Sequence, residues 1–176
     1  MKNLYGKKIL IIVANQDFQD DEYRTISERL SFLGAELDVA SSSIGLARGI
    51  NGASVNCSLL VSDINLYEYD AVVFIGGPGS VEYQSDASAL ELVRQLVQQK
   101  KVVGAICLAP LILAKANVLR GREATVWPDY ENENMRELTS AGAKYTGEPV
   151  TVDKKIITAN GPEAATEFAD ALAKEL

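Results

Sequence analysis

Three short stretches hold the residue types that could do chemistry. In VVGAICLAP (102–110) a lone cysteine, Cys107, follows a continuous apolar run and precedes a proline that opens a second apolar stretch. Such a run reads as a buried parallel strand, and Pro110 suits the first turn of a helix, so Cys107 falls on a sharp strand-to-helix turn. The free N–H groups of a helix start and the positive end of its dipole favour a thiolate there. This is the setting of a nucleophile elbow, although the hydrolase pattern G-x-S-x-G is absent. A small side chain filling a gap at a strand end accounts for the same residue, since cysteine is among the most often buried types.

The second stretch is GGPGS (76–80), directly after the apolar AVVFI. Glycines at the carboxyl end of a parallel strand let backbone amides face a crevice, where they can hold a developing oxyanion. That makes Gly76 and Gly77 candidate donors; a plain tight turn is the alternative. Neither G-x-G-x-x-G nor G-x-x-x-x-G-K-[ST] occurs, so a nucleotide loop has no support. The third stretch is DFQDDEYRT, with Glu22 beside Asp17, Asp20 and Asp21. Ligands of open parallel sheets gather beyond the carboxyl ends of the strands, so Glu22, Gly76, Gly77 and Cys107 can share one crevice. Spacing alone does not choose among the four acids, and a carboxylate-rich helix start also suits the dipole.

The chain has no histidine. Ser-His-Asp and Cys-His arrangements are therefore excluded, as is every histidine-containing metal site. Any chemistry falls to carboxylates, thiol, tyrosine, lysine or backbone dipoles; no metal and no cofactor is expected. The two cysteines, Cys57 and Cys107, have no framework spacing and read as free thiols, Cys57 as a packing residue.

These groups need elements to position them. At 176 residues, with 47% hydrophobic and 23% charged, the chain suits a single domain, 1–176, with an ordinary core. A net charge of -7 without a basic run argues against nucleic acid or an anionic membrane as partner. The start lacks the pattern of a secretion signal and no apolar run is long enough to span a bilayer, so a cytoplasmic location is expected. Apolar runs at 7–15, 35–41, 69–77 and 100–106 read as parallel strands. Helices are expected from Asp20 to a C-cap at Gly34, from Ser88, after Pro110, and from Pro162 to the end. Strand alternating with helix gives an open, mostly parallel sheet covered on both faces. The Gly- and Ser-rich 41–63 reads as an excursion holding a small hairpin, and 143–160 as two strands joined near Asp153 and Lys154.

The order D-F-Q-D-D-E, V-F-I-G-G-P-G, V-V-G-A-I-C-L-A-P, L-R-G-R-E-A-T-V, I-I-T-A-N-G-P closely resembles the ThiJ/PfpI (DJ-one) superfamily over essentially the whole chain. The resemblance implies a flavodoxin-like three-layer α/β sandwich and a homo-oligomer, most simply a dimer. It assigns Cys107 as the elbow cysteine, Glu22 as the carboxyl that meets its sulfur, and the amides of Gly77 and Leu108 as oxyanion donors. Pro78 and Asn160 are expected at the pocket, as is Trp127 by its place in the resemblance, with packing under the final hairpin as the alternative for the indole.

The departures are chemical. Leu108 stands where protease-type members carry histidine after the cysteine, T-V-W-P puts Trp127 where others have histidine, and Asn160 replaces an arginine frequent in relatives. A homo-oligomeric partner supplies no histidine either, so peptidase and glyoxalase schemes that need one lose their support. What remains is a stress-related protein using Cys107 and Glu22 on small electrophiles such as reactive aldehydes or amide-like substrates. Two alternatives stand beside it: a redox-responsive thiol that peroxide takes to sulfinic acid, and an oligomeric binding or chaperone-like protein.

Overall fold

The first strand explains how the sheet comes to be covered on both sides. In the computed structural model, which describes residues 2–176, β1 (Lys8–Ile12) alternates Ile9 and Ile11 on one face with Leu10 and Ile12 on the other, all fully buried. Successive strand side chains point to opposite faces, so an unbroken apolar run requires two apolar layers.

The chain continues through β2 (Gln16–Phe18), α1 (Asp20–Phe32), β3 (Glu36–Ser41), β4 (Gly45–Gly49), β5 (Ser54–Cys57), β6 (Leu59–Leu60) and β7 (Ala71–Phe74). After a 3-10 stretch at Pro78–Gln84 come α2 (Ala87–Gln98), β8 (Val102–Ile106), α3 (Pro110–Lys115), β9 (Glu123–Ala124), α4 (Glu133–Ser140) and β10 (Lys144–Tyr145). The last elements are β11 (Val150–Asp153), β12 (Ile156–Ala159) and α5 (Ala165–Glu175). The main sheet has the order β11-β12-β8-β7-β1-β3-β6, parallel except for the antiparallel β11 at its edge. Helices α1 and α5 pack Ile26, Leu30, Phe168 and Leu172 against the Ile9 and Ile11 face. On the opposite face α2 and α3 bring Leu92, Leu96, Ile112 and Leu113 to Leu10, Ile12, Val72 and Phe74. The result is a flavodoxin-like α/β sandwich.

Several expectations are refined. The runs 7–15 and 69–77 pair for only part of their length, because Val13–Asn15 and Ile75–Gly77 leave the sheet and turn over its carboxyl end. Helix α3 stops at Lys115, and Asn117 takes a left-handed φ of 62°, so the stretch after Pro110 is a short buried plug rather than a long helix. The 41–63 excursion contains the β4–β5 hairpin, which joins β2 in a separate three-stranded sheet. Beyond the sequence reading lie α4 and the short β9–β10 pair. No helix among the described residues is long and apolar enough to cross a membrane.

Candidate active site

Strands β1, β7 and β8 are adjacent and parallel, so their carboxyl ends release three loops side by side. Cys107 leaves β8 with φ of 63°, a left-handed conformation that costs an ordinary residue roughly 1 kcal/mol or more. Two hydrogen bonds hold it there: its N–H donates to the Ala159 carbonyl at 2.9 Å, and its carbonyl accepts from Trp127 N–H at 2.9 Å. The side chain is thereby aimed over the β7 loop and is 8% exposed.

The four acids of the first loop separate by their partners. Asp20 accepts from the N–H groups of Asn51 and Ala53 and so ties α1 to the β4–β5 turn. Asp21 pairs with Arg24 at the surface, and Asp17 is an exposed left-handed residue at the register shift within β2. Glu22 is the acid that reaches the β7 loop. It is fully buried, with Oε2 accepting from Gly76 N–H at 2.9 Å and Oε1 without a hydrogen-bond partner. The Cys107 thiol is the group that meets this carboxyl.

Gly76 sits between the two. A Cβ there would press on Cys107 Cβ and stand 2.7 Å from the Ile106 carbonyl oxygen and 2.8 Å from Glu22 Oε2. Gly77 has φ of 99°, and a Cβ on it would meet the backbone of Asp17 and Gln19 at 2.5 and 2.6 Å. One expectation changes here. Gly76 N–H is engaged by Glu22, which removes it from the oxyanion donors; the N–H groups of Gly77 and Leu108 are the ones directed at sulfur. Replacing Gly76 with Ala must separate the elbow from Glu22. The expected result is destabilisation of about 1 to 3 kcal/mol, as for other overpacked sites, together with altered Cys107 alkylation, read by thermal melting and peptide mass spectrometry. An unchanged melt and an unchanged alkylation rate would show that the three groups are not in contact.

The electrostatics also correct the sequence reading. A helix start was expected to lower the Cys107 pKa, but α3 has only six residues and begins three positions later. Burial, then the Glu22 carboxylate, push the thiol up to about 12, against the pull of the Gly77 and Leu108 N–H groups. Burial likewise lifts Glu22 to about 8, opposed by the Gly76 N–H and the thiol. Near neutral pH both protons stay on the pair. The first one lost leaves a single proton between carboxyl and sulfur, so the two groups titrate as a unit.

Above the thiol lies a cleft of about 190 Å³, lined by Gln19, Ile50, Gly77, Pro78, Cys107, Leu108, Trp127 and Pro162. Trp127 borders it and packs on Gly161, where a Cβ would stand 2.6 Å from the indole. Asn160 does not line this cleft; it borders the neighbouring cavity beyond Trp127. Gln19, Ile50 and Pro162 were not anticipated. Ile50 arrives from the excursion, and Pro162 reads in sequence as a helix start. Cys57 is fully buried in the α1 side of the core, and no group of residues able to hold a metal ion occurs among the described residues.

A doubly covered parallel sheet with a strained cysteine elbow and a buried carboxyl beneath it defines a class of cysteine-elbow α/β sandwich. A sequence model of the DJ-1/PfpI family matches residues 7–175, and the chain belongs to that family. An uncharacterized protein of Methanocaldococcus jannaschii is 37% identical over 168 residues, covering 95% of this chain and 81% of that one. Deglycase PfpI of Pyrococcus furiosus is 32% identical over 155 residues, 88% of this chain and 90% of the relative. Among solved structures, the ThiJ/PfpI domain protein of Brachyspira murdochii superposes with a TM-score of 0.90 at 32% identity, covering 97% of both chains.

Proposed function

We propose that the chain is an enzyme acting on small α-oxoaldehydes, with Cys107 as nucleophile and Glu22 as the group that moves protons. The observation that carries this reading is Glu22: a fully buried carboxyl with one oxygen held by Gly76 N–H, the other without a hydrogen-bond partner, and the Cys107 thiol beside it. A carboxyl raised to about 8 can act as acid and base near neutral pH. The deglycase name of the Pyrococcus furiosus relative points to carbonyl chemistry of the same kind.

In the proposed cycle the sulfur adds to the aldehyde carbon, forming an S–C bond while the thiol proton passes through Glu22 to the carbonyl oxygen. The N–H groups of Gly77 and Leu108 face the negative charge that moves from sulfur to this oxygen. Glu22 then takes the proton from the adduct carbon and returns it to the adjacent carbonyl carbon, while the adduct hydroxyl proton passes to the oxygen of that adjacent carbonyl, giving an α-hydroxy thioester. Water cleaves the thioester, releasing an α-hydroxy acid and the thiol. The sum is oxoaldehyde plus water to hydroxy acid, with no external oxidant, reductant or histidine.

The test is methylglyoxal conversion to lactate, followed by chromatography, in the natural protein and in Cys107→Ala. Saturable turnover is expected, rising with pH through about 8 as the pair first ionises, with a loss of at least about a thousandfold in the variant. No turnover, combined with Cys107 taken to sulfinic acid by two equivalents of peroxide, would favour the redox-responsive reading, since the Gly77 and Leu108 amides would suit sulfinate oxygens equally. Equal behaviour of both proteins toward aldehyde and peroxide would leave a binding role.

A further inference from the structure

The cleft over Cys107 adjoins a second cavity of about 380 Å³, and Trp127 and Pro162 line both. The indole between them is 42% exposed, unusual for the chain's single tryptophan. Its backbone is nonetheless fixed at both ends. Trp127 N–H donates to the Cys107 carbonyl, and Asn134 Nδ2 donates to the Trp127 carbonyl at 3.2 Å. Two residues on, the Asp129 carboxylate accepts from the N–H groups of Glu133 and Asn134, so the whole turn is anchored to the start of α4. With the Cε3–Cζ3 edge of the ring against Gly161, the indole rises from a backbone that is hydrogen-bonded to the nucleophile's own residue.

The chemistry of the walls is one-sided. Ile50, Pro78, Leu108, Pro128 and Pro162 line the two cavities with the indole, Gln19 and Asn160 are their uncharged polar side chains, and among the described residues neither cavity is lined by a lysine or arginine. The one charged side chain at the far cavity is Glu163, which disfavours an anionic ligand. An exposed aromatic ring on a fixed backbone gains most from a flat apolar partner, through burial and ring contact together.

We propose that the site selects uncharged α-oxoaldehydes bearing an aryl or similarly bulky apolar group over methylglyoxal and glyoxylate, and that Trp127 sets this preference. The inference rests on the proposed reaction for the word oxoaldehyde, but the apolar selectivity belongs to the cleft itself. With the aldehyde carbon over Cys107, the aryl group lies along the indole toward the second cavity.

Two measurements separate the inference from the reaction on which it rests. In turnover, kcat/KM for phenylglyoxal is expected to exceed that for methylglyoxal by about tenfold or more, with glyoxylate poorest, and the aryl preference is carried by KM. In alkylation, phenacyl chloride and chloroacetone are compared at Cys107, each rate divided by that with free N-acetylcysteine. A normalised aryl preference of about tenfold is expected, falling toward one in Trp127→Ala and retained in Trp127→Phe. Equal normalised rates in the natural protein overturn the inference without recourse to any variant, as does a preference that survives in a folded Trp127→Ala. A clear alkylation preference without turnover of any oxoaldehyde overturns the proposed reaction and leaves the apolar selectivity standing.

Discussion

Glu22→Gln will alkylate faster than the natural protein and turn over far more slowly. The amide oxygen of glutamine can keep the hydrogen bond from Gly76 N–H, so the variant preserves the contact that orients the side chain. Its NH₂ then takes the place of Oε1, which has no hydrogen-bond partner in the natural protein. Two of the influences that hold the Cys107 thiol up, the Glu22 charge and its hydrogen bond, are removed, while burial and the Gly77 and Leu108 amides stay. The thiol pKa therefore falls, and iodoacetamide labelling at pH 8 to 9 should rise severalfold. Turnover needs a group that accepts and returns protons, which an amide cannot do. A loss on the order of a hundredfold to ten-thousandfold in kcat is expected, the usual scale for a deleted general acid–base. Peptide mass spectrometry reads the labelling separately from Cys57, and lactate formation reads the turnover. Slower labelling would mean that Glu22 activates the thiolate by donating to it, and retained turnover would remove it from the proton path.

The two faces of the sheet were legible because apolar runs such as ILII (9–12) and AVVF leave no polar residue to face solvent. Helix α1 was legible at both ends: three acids open it, and Gly34, with φ of 98°, follows it. What escaped is short or depends on partners far along the chain. Strand β2 is three residues, two of them polar and exposed, and exists only because β4 returns beside it. Helix α4 follows a left-handed Asn132, and its capping carboxylate, Asp129, lies outside the helix in a loop with no periodicity to read.

The site divides in the same way. Cys107 and the glycine pair are visible from local pattern, since a strand-to-helix turn and a strand-end GG each carry their own geometric reason. Choosing Glu22 over Asp20 is not a local matter. Each acid is selected by what lies opposite it: the Asn51 and Ala53 amides for Asp20, the Gly76 amide and the elbow for Glu22. The same holds for the thiol, whose pKa follows burial by three loops rather than the helix start that the sequence advertises.

Burial of Glu22 also has a cost that pH exposes. The folded protein binds its carboxyl proton up to about pH 8, whereas the unfolded chain releases it near 4.5. Between these values the unfolded state holds fewer protons, so stability falls as pH rises, and it levels off once Glu22 ionises in the folded state as well. A displacement of this size corresponds to a penalty on the order of 4 kcal/mol at pH 8 relative to pH 4.5. Asp38 and Asp70 are displaced the other way, lowered from 3.8, and their contributions are lost only as pH falls below the window. Cys107 remains a thiol throughout it. Glutamine at position 22 has no proton to lose, so Glu22→Gln should melt close to the natural protein at pH 5 and about 10 °C higher at pH 8, on the usual scale for a chain of this length. Melting both proteins in matched buffers from pH 5 to 8 reads the difference directly, with the titrations outside the Cys107–Glu22 pair cancelled. Parallel curves would mean that the carboxyl ionises in the folded state as it does in the unfolded chain, and a residue of that kind could not serve as the neutral-pH acid of the proposed reaction.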